Sequence, residues 1–469
     1  MSSRYRSLIK DTFIFALGSF GSKLILFLMV PLYTNYMAEA EYGTADLVFT
    51  IAQLLAPFIS VVIFDAVIRF GLSKNEKKEN VLLVGVIVFI FSVVIGAIIT
   101  PLIGLYRTVS EWKWYLYTYV ICNIANSIEL NYLKAKGKNK IYALLSILQT
   151  GLMASLNVWF LVYRSLGIRG YLLAYILSNL TIDVLAFIAG KVGSDLTKAK
   201  FDKRLFREMV LYSTPLILNN VSWWVIHSSD KVMVEIMIST AALGIYTAAA
   251  KIPALINVMV TVFQQAWGIS AVREIESTND SKYYSDVFKF LFLFISGACI
   301  TFVTIMKVFM HFYVGEGFQE AWQYVPLLLV SAVFASIASY FGSMYGALKK
   351  SVNNMLSTAL AAVVNLVVNW IFIPVVGIWG AVIGTVVSYT VVAFVRMIDV
   401  RRYINIPINW KTLLSNCFII VIQAIMVSRD FHIYTVSIIT MFIFVIVNWG
   451  DLRLMLVRIN GTVRDITKR

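Results

Sequence analysis

Charge is scarce in this sequence. Asp, Glu, Lys and Arg together supply 14% of the 469 residues, against about 25% in a soluble globular chain. So few charges cannot cover a folded surface that faces water, which excludes a soluble enzyme. Cysteine is nearly absent. Cys122, Cys299 and Cys417 stand apart, in or beside apolar runs, and offer neither a zinc motif nor a disulfide framework; they read as small buried hydrophobes. The three histidines, His227, His311 and His432, are equally scattered, with no H-E-x-x-H among them. No phosphate-cradling G-x-x-x-x-G-K-[ST] occurs either, since Gly137-Lys138 and Gly190-Lys191 lack the earlier glycine. Neither an enzyme, nor a cofactor, nor a metal is expected.

Apolar residues are what the chain has, 59% of the total. They gather into runs of about 20 residues, the length that crosses a ~30 Å hydrocarbon core as a helix. That much apolar surface excludes disorder, and runs this long exclude the alternating ~10-residue strands of a membrane β-barrel. The fold class is all-α and polytopic. Breaks at charge, Gly, Pro and Asn divide the chain into fourteen expected spans: 12–34, 44–68, 81–105, 113–133, 141–163, 168–190, 210–238, 243–270, 286–312, 322–347, 352–376, 378–400, 411–428 and 432–450. The basic N-terminal tail followed by an apolar run mimics a signal peptide. No small-residue cleavage site follows, and the run continues to Tyr33, so a retained first helix is expected.

A net charge of +15 would suggest nucleic acid in a soluble chain. Here its distribution is topological. Of the 40 basic residues, 31 fall on the side of the N-terminus and five (Arg107, Lys113, Arg164, Arg169, Arg429) on the other. The remaining four, Lys23, Lys231, Lys251 and Lys307, lie inside spans. The positive-inside rule then puts both termini in the cytoplasm and removes any need for a nucleic-acid partner. Trp112, Trp114, Tyr115, Tyr117 and Trp322 mark the opposite interface as an aromatic belt. Every outer loop is short, which leaves a membrane glycosyltransferase or polymerase no room for an outer active site.

The chain repeats itself. Glu41-Tyr42-Gly43-Thr44-Ala45 is matched by Leu243-Gly244-Ile245-Tyr246-Thr247, Leu133-Lys134-Ala135-Lys136-Gly137-Lys138 by Tyr345-Gly346-Ala347-Leu348-Lys349-Lys350, and Gly167-Ile168-Arg169-Gly170 by Gly377-Ile378-Trp379-Gly380, at offsets of 201 to 212. Six spans per copy make the repeats parallel. The expected domains are an N-terminal six-helix lobe at 1–190, a basic linker at 191–209, a C-terminal six-helix lobe at 210–402, and an extra helix pair with a basic tail at 403–469. The linker, with six basic residues plus Asp195 and Asp202, reads as a strap lying on the cytoplasmic surface.

These Gly-Ile-x-Gly turns, the Tyr-Gly opening of the second span, and Ser229-Asp230-Lys231-Val232-Met233 ahead of Gly244-Ile245-Tyr246 resemble the Wzx-type polysaccharide flippases of the multidrug/oligosaccharidyl-lipid/polysaccharide (MOP) exporter superfamily. The resemblance covers about residues 8–402. It implies a V-shaped, MATE-like pair of lobes, with spans 1, 2, 7 and 8 lining a cavity and alternating access by rocking. It also implies a cargo, an undecaprenyl-pyrophosphate-linked oligosaccharide moved across a bacterial cytoplasmic membrane. Membrane lipids, a polysaccharide polymerase and assembly proteins are the implied partners, and a monomer the implied state. The alternative within the superfamily is an ion-coupled multidrug antiporter.

Charges inside spans are the candidate site residues, because a centred Lys or Asp costs about 2.5–3.5 kcal/mol unless it faces water or a partner. At 1.5 Å per residue Lys23 and Lys251 lie about 16 Å and 12 Å deep, from opposite faces. Each either snorkels or pairs, or supplies a cavity cation for the pyrophosphate of the cargo. Span 7 adds Asn219, His227, Asp230 and Lys231, as binding residues or as an ion pair. Asp65 and Arg69, at i and i+4, form an inner gate or a helix-end salt bridge. Asp183 is the candidate ion-coupling carboxylate. Pro31, Pro57, Pro215 and Pro253 fall in spans 1, 2, 7 and 8, where each permits a kink.

Overall fold

The computed structural model describes residues 21, 23–73, 75–276, 281–348 and 350–467. Among these every regular element is helical. Eleven helices are long and apolar enough to cross a membrane. Two further long helices, Lys113–Ala135 and Lys203–Met237, stand at the fourth and seventh expected spans. Their polar residues, Glu129 and Lys134 in one, Asp230, Lys231 and Glu235 in the other, dilute their apolarity. Of the expected first span, 12–20 and residue 22 lie outside the described residues; the helix is seen from 23 to 28 and again over Val30–Tyr36 (α1).

The second span differs from its expected form. It is not one helix over 44–68 but two, Glu39–Ser60 (α2) and Ile63–Gly71 (α3). Val61 and Val62 between them both sit in the left-handed region, at φ +52° and +55°. That conformation costs an L-residue roughly 1–2 kcal/mol, and a branched Cβ makes it more unusual still. Pro57 lies one turn before the break and starts the disruption by removing a donor.

Helices Lys78–Ile103 (α4), Lys113–Ala135 (α5), Asn139–Asn157 (α6) and Gly167–Gly190 (α7) follow. The expected linker is only partly a strap. A five-residue helix, Val192–Leu196, is tied down by Asp195, which accepts from Tyr132 Oη at 2.7 Å and Lys136 Nζ at 2.5 Å. Burial pushes the Asp195 carboxyl up, but those hydrogen bonds outweigh it and hold it below the usual carboxylate range. Asp202 then caps the next helix, accepting from the amides of Arg204 and Leu205. That cap starts helix Lys203–Met237 (α8) seven residues before the expected span.

The chain forms two compact units. One runs to Thr247 and takes in Glu316–Phe318; the other holds Ala248–Gly315 and all from Gln319 onward. The units part inside helix Thr240–Glu276 (α9) rather than at the linker. In the first unit a knot of aromatic rings fastens α2. Phe49 lies 4.5 Å from Tyr175 and 4.6 Å from Tyr119, and Tyr171 lies 4.7 Å from Tyr33.

In the second unit, helices Ser281–Tyr313 (α10), Ala321–Ala347 (α11), Ser351–Val376 (α12) and Ile378–Val400 (α13) pack around α11, which is buried along most of its length. Arg396, counted with the cytoplasmic loop in the charge bias above, is instead 5% exposed within α13. It donates to Ser357 Oγ at 2.9 Å, Thr358 Oγ1 at 2.7 Å and the Ala338 carbonyl at 2.9 Å, so two neighbouring helices, α11 and α12, satisfy one guanidinium. The extra pair, Trp410–Ser428 (α14) and Ile433–Thr467 (α15), is joined by reciprocal amide bonds between Asn416 and Asn448 at 2.9 and 2.8 Å. Gln423 docks it on α10 through the Ile300 carbonyl at 3.2 Å. Such amide pairs hold helices together where lipid offers no hydrophobic drive.

Candidate functional site

The densest buried polar group of the first unit lies where the start of α2 meets α8 and the first turns of α9. Asp46, 7% exposed, accepts from Lys231 Nζ at 2.8 Å and from Thr247 Oγ1 at 3.1 Å. One turn away Asp230, 4% exposed, takes the Tyr246 hydroxyl in a short hydrogen bond and the Lys231 amide at 2.9 Å. Glu235 accepts from Thr108 Oγ1 at 2.6 Å, while its other carboxylate oxygen is buried without a partner. Deeper along the seam, Trp224 Nε1 donates to the Thr50 carbonyl at 2.8 Å. Three carboxylates, one ammonium and three hydroxyls therefore close this line of contact.

The repeat is what brings these helices together. An ideal Cβ on Gly43 would fall on the carbonyl oxygen of Thr240, and one on Gly244 would fall on the carbonyl oxygen of Glu39. Gly244 and Thr240 are the positions 201 residues after Gly43 and Glu39, so the two contacts are the same contact made twice. This is the reciprocity of a two-fold interface, here between repeats of one chain. Asp46 and Thr247 obey the same 201-residue relation. Small residues at such a crossing let two backbones touch, and the polar pairs beside it keep the surfaces in register.

The expected site residues fall in different places. Lys231 and Asp230 are in the seam, where the Lys231 ammonium goes to Asp46 while the Asp230 carboxylate takes the Tyr246 hydroxyl and the Lys231 amide. His227 stacks on Trp223 with ring centroids 5.4 Å apart, one turn back and exposed; Asn219 is exposed two turns further. Lys23 is exposed on the opening helix, and Lys251 is half-buried in the second unit. Asp65 and Arg69 form no ion pair among the described residues. They sit in the first and last turns of the nine-residue α3, each at the end where the helix dipole favours its charge, and Asp65 feels the charge of Lys134 instead. Asp183 accepts from Asn126 Nδ2 at 3.0 Å, within an amide chain through Gln149 to Asn179.

Asp46 escaped the sequence reading. The repeat motif that ends at Ala45 stops one residue short of it. The signal was available: a carboxylate directly after the Tyr-Gly-Thr-Ala of the first repeat copy, and a lysine, Lys231, inside an apolar span of the other lobe.

Known proteins bear on this arrangement. A family model described as polysaccharide biosynthesis protein matches residues 8–267. A protein of the Lsg locus of Haemophilus influenzae is 24% identical over 262 residues, 55% of this chain and 64% of its own length. A second membrane protein of that organism is 23% identical over 263 residues, again 64% of its length; the match thus spans under two thirds of both relatives. The structure of a lipid II flippase, MurJ, in an inward closed conformation superposes with a TM-score of 0.69 over 94% of this chain and 99% of that one, at 13% identity. An inward-facing multidrug resistance MATE transporter of the MOP superfamily gives 0.63 over 81% and 98%, at 15% identity. At such identities the likeness is one of fold.

Proposed function

The chain belongs to the polysaccharide biosynthesis protein family and has the fold of the MOP transporters, and from that premise we propose that it flips a lipid-linked saccharide across a bacterial cytoplasmic membrane. The cargo is a pyrophosphate-linked repeat unit on undecaprenol, with both termini of the protein in the cytoplasm. The observation that carries the mechanism is the seam. A contact built from repeat-related glycines and a few hydrogen-bonded charges is one that opens and closes as a unit, which is what alternating access requires. By the charge bias this seam faces outward, so its closed form keeps the outer path shut while the cargo enters from inside.

Exposed on the opening helix at membrane depth, Lys23 is the proposed contact to the anionic pyrophosphate, with Lys251 and Lys231 as further cations. Asn219 and His227, exposed on α8, suit hydroxyl-rich cargo. Asp65 and Arg69 are the proposed inner gate, and Asp183 the proposed ion-coupling group. A polymerase and assembly proteins are the expected recipients of the flipped unit.

Replacing Lys23 by Ala is expected to lower surface polysaccharide about tenfold, since a hydrogen bond to a charged group contributes about 1.5–3 kcal/mol; Lys251→Ala is expected to act in the same direction. The check is surface polysaccharide, normalised to protein abundance, in cells lacking the native copy. Wild-type output from both variants would remove the lysines from the mechanism.

A second reading has one observation in its favour. The seam holds Asp46, Asp230 and Glu235, and buried carboxylates suit an antiporter for cationic drugs. Cells without the protein that accumulate a cationic dye yet keep their surface polysaccharide would establish that reading in place of the first.

A further inference from the structure

We propose that the break at Val61–Val62 is a hinge of the transport cycle, and that Ser92, Asn131 and Ser213 are the positioning residues that hold it bent. Among the described residues, six non-glycine positions have positive φ: Val61, Val62, Ser165, Lys191, Asp430 and His432. The last four lie in turns between helices. His432 is the first residue of an expected span, but only the valine pair falls in the interior of one, where a strained backbone far from water needs its surroundings to maintain it.

Those surroundings are built for the purpose. Ser60 Oγ donates back to the Ala56 carbonyl at 2.6 Å and accepts from the Val62 amide at 3.2 Å. Ser92 on α4 shares its hydroxyl proton between the Ile59 carbonyl at 3.0 Å and the Val88 carbonyl of its own helix at 2.8 Å, Asn131 on α5 donates to the Phe64 carbonyl at 2.9 Å, and Ser213 on α8 to the Val62 carbonyl at 3.4 Å. Three neighbouring helices each send one polar side chain to the break. Among the described residues the repeat-related helix, α9, runs unbroken through Pro253 with no positive-φ pair. The break therefore belongs to the first repeat and has no counterpart in α9.

The outer half of the span, α2, carries Gly43 and Asp46 into the seam, while the inner half, α3, carries Asp65 and Arg69. A hinge between them lets the seam end swing while the inner end stays anchored. Two valines are better suited to this than glycines: branched residues prefer the ordinary helical region, so the bent form is held only while its three caps are in place. Loss of a cap straightens the span.

Spin labels at Gln53 and Leu72, both exposed, report the bend in the purified full-length protein by electron-electron double resonance. A continuous helix would set their backbones about 28 Å apart, from 19 residues at 1.5 Å each. The expected result is a shorter distance in the wild type. In Val61→Ala/Val62→Ala, which favours a straight helix, and in Ser92→Ala/Ser213→Ala, which removes two caps, the population shifts toward the long distance. Val61→Gly, which relieves the strain without straightening, keeps the short one. An unchanged distance in all variants, or a long distance in the wild type, overturns the hinge. The measurement needs no cargo, so its outcome is separate from that of the flippase reading. Val61→Ala/Val62→Ala and Ser92→Ala/Ser213→Ala belong to different helices, so a folding defect in one pair leaves the other to decide.

Discussion

Asp46→Ala is expected to leave the seam open and to reduce export about a hundredfold, with Lys231→Ala close behind. Removing one partner of a buried ion pair costs about 3–5 kcal/mol. Here the side chains are 9% and 19% exposed, which favours the lower end, and about 1.4 kcal/mol corresponds to a factor of ten. Asp46 also satisfies Thr247, so its loss strands two donors where loss of Lys231 strands one acceptor. The check is a Thr247→Cys reporter in a background without the three native cysteines. Thr247 is fully buried in the closed seam, so its labelling by a membrane-impermeant maleimide is expected to be slow in the wild type and fast in both variants. The charge-swapped Asp46→Lys/Lys231→Asp protein is expected to recover part of the protection. Labelling that stays slow in Asp46→Ala would show that the pair does not hold the seam.

The second large effect is expected at the glycine crossing. Gly43→Ala and Gly244→Ala each place a Cβ on a backbone carbonyl oxygen, which no rotamer change can move aside. Overpacking of this kind costs about 1–3 kcal/mol, and here the whole cost falls on the closed state. Alanine is the better helix former by about 1 kcal/mol, so the helices themselves gain. Export is therefore expected to fall about tenfold or more at undiminished protein level, with Thr247→Cys labelled rapidly. Gly346→Ala, where nothing lies within 4 Å of the new Cβ, is the matched control and is expected to behave as wild type. Equal export from Gly43→Ala and Gly346→Ala would mean that the crossing never needs to close tightly.

How much of this was legible in advance differs from element to element. The spans were, because crossing hydrocarbon leaves a long apolar run no alternative to helix. The break in the second span was not. Val61 and Val62 are ordinary apolar residues in an apolar run, and what holds the bend there is three hydroxyl and amide groups 33 to 151 residues from the carbonyls they bind. Asp202 as a helix cap is visible in hindsight, since its signal is local. Arg396 resembles a cytoplasmic loop residue by position, and only the packing of α11, α12 and α13 shows it to be enclosed.

The site divides in the same way. Lys231 and Asp230 stood out because a charge inside a span is costly, and that cost is a property of one residue. The partner of Lys231 is a property of two helices, and Asp46 entered only when they met. The repeat lies between these cases. Its offset could be measured along the chain, but that Gly43 and Gly244 lie on each other followed only from the folded backbone.

Composition and the long apolar runs alone determined that this protein spans a membrane through many helices, because desolvation acts on each segment separately. Which carboxylate answers which lysine, where a span bends, and that the two copies of a glycine motif meet face to face were decided by tertiary structure. Those are relations between segments, and the energies that choose among them exist only once the segments touch.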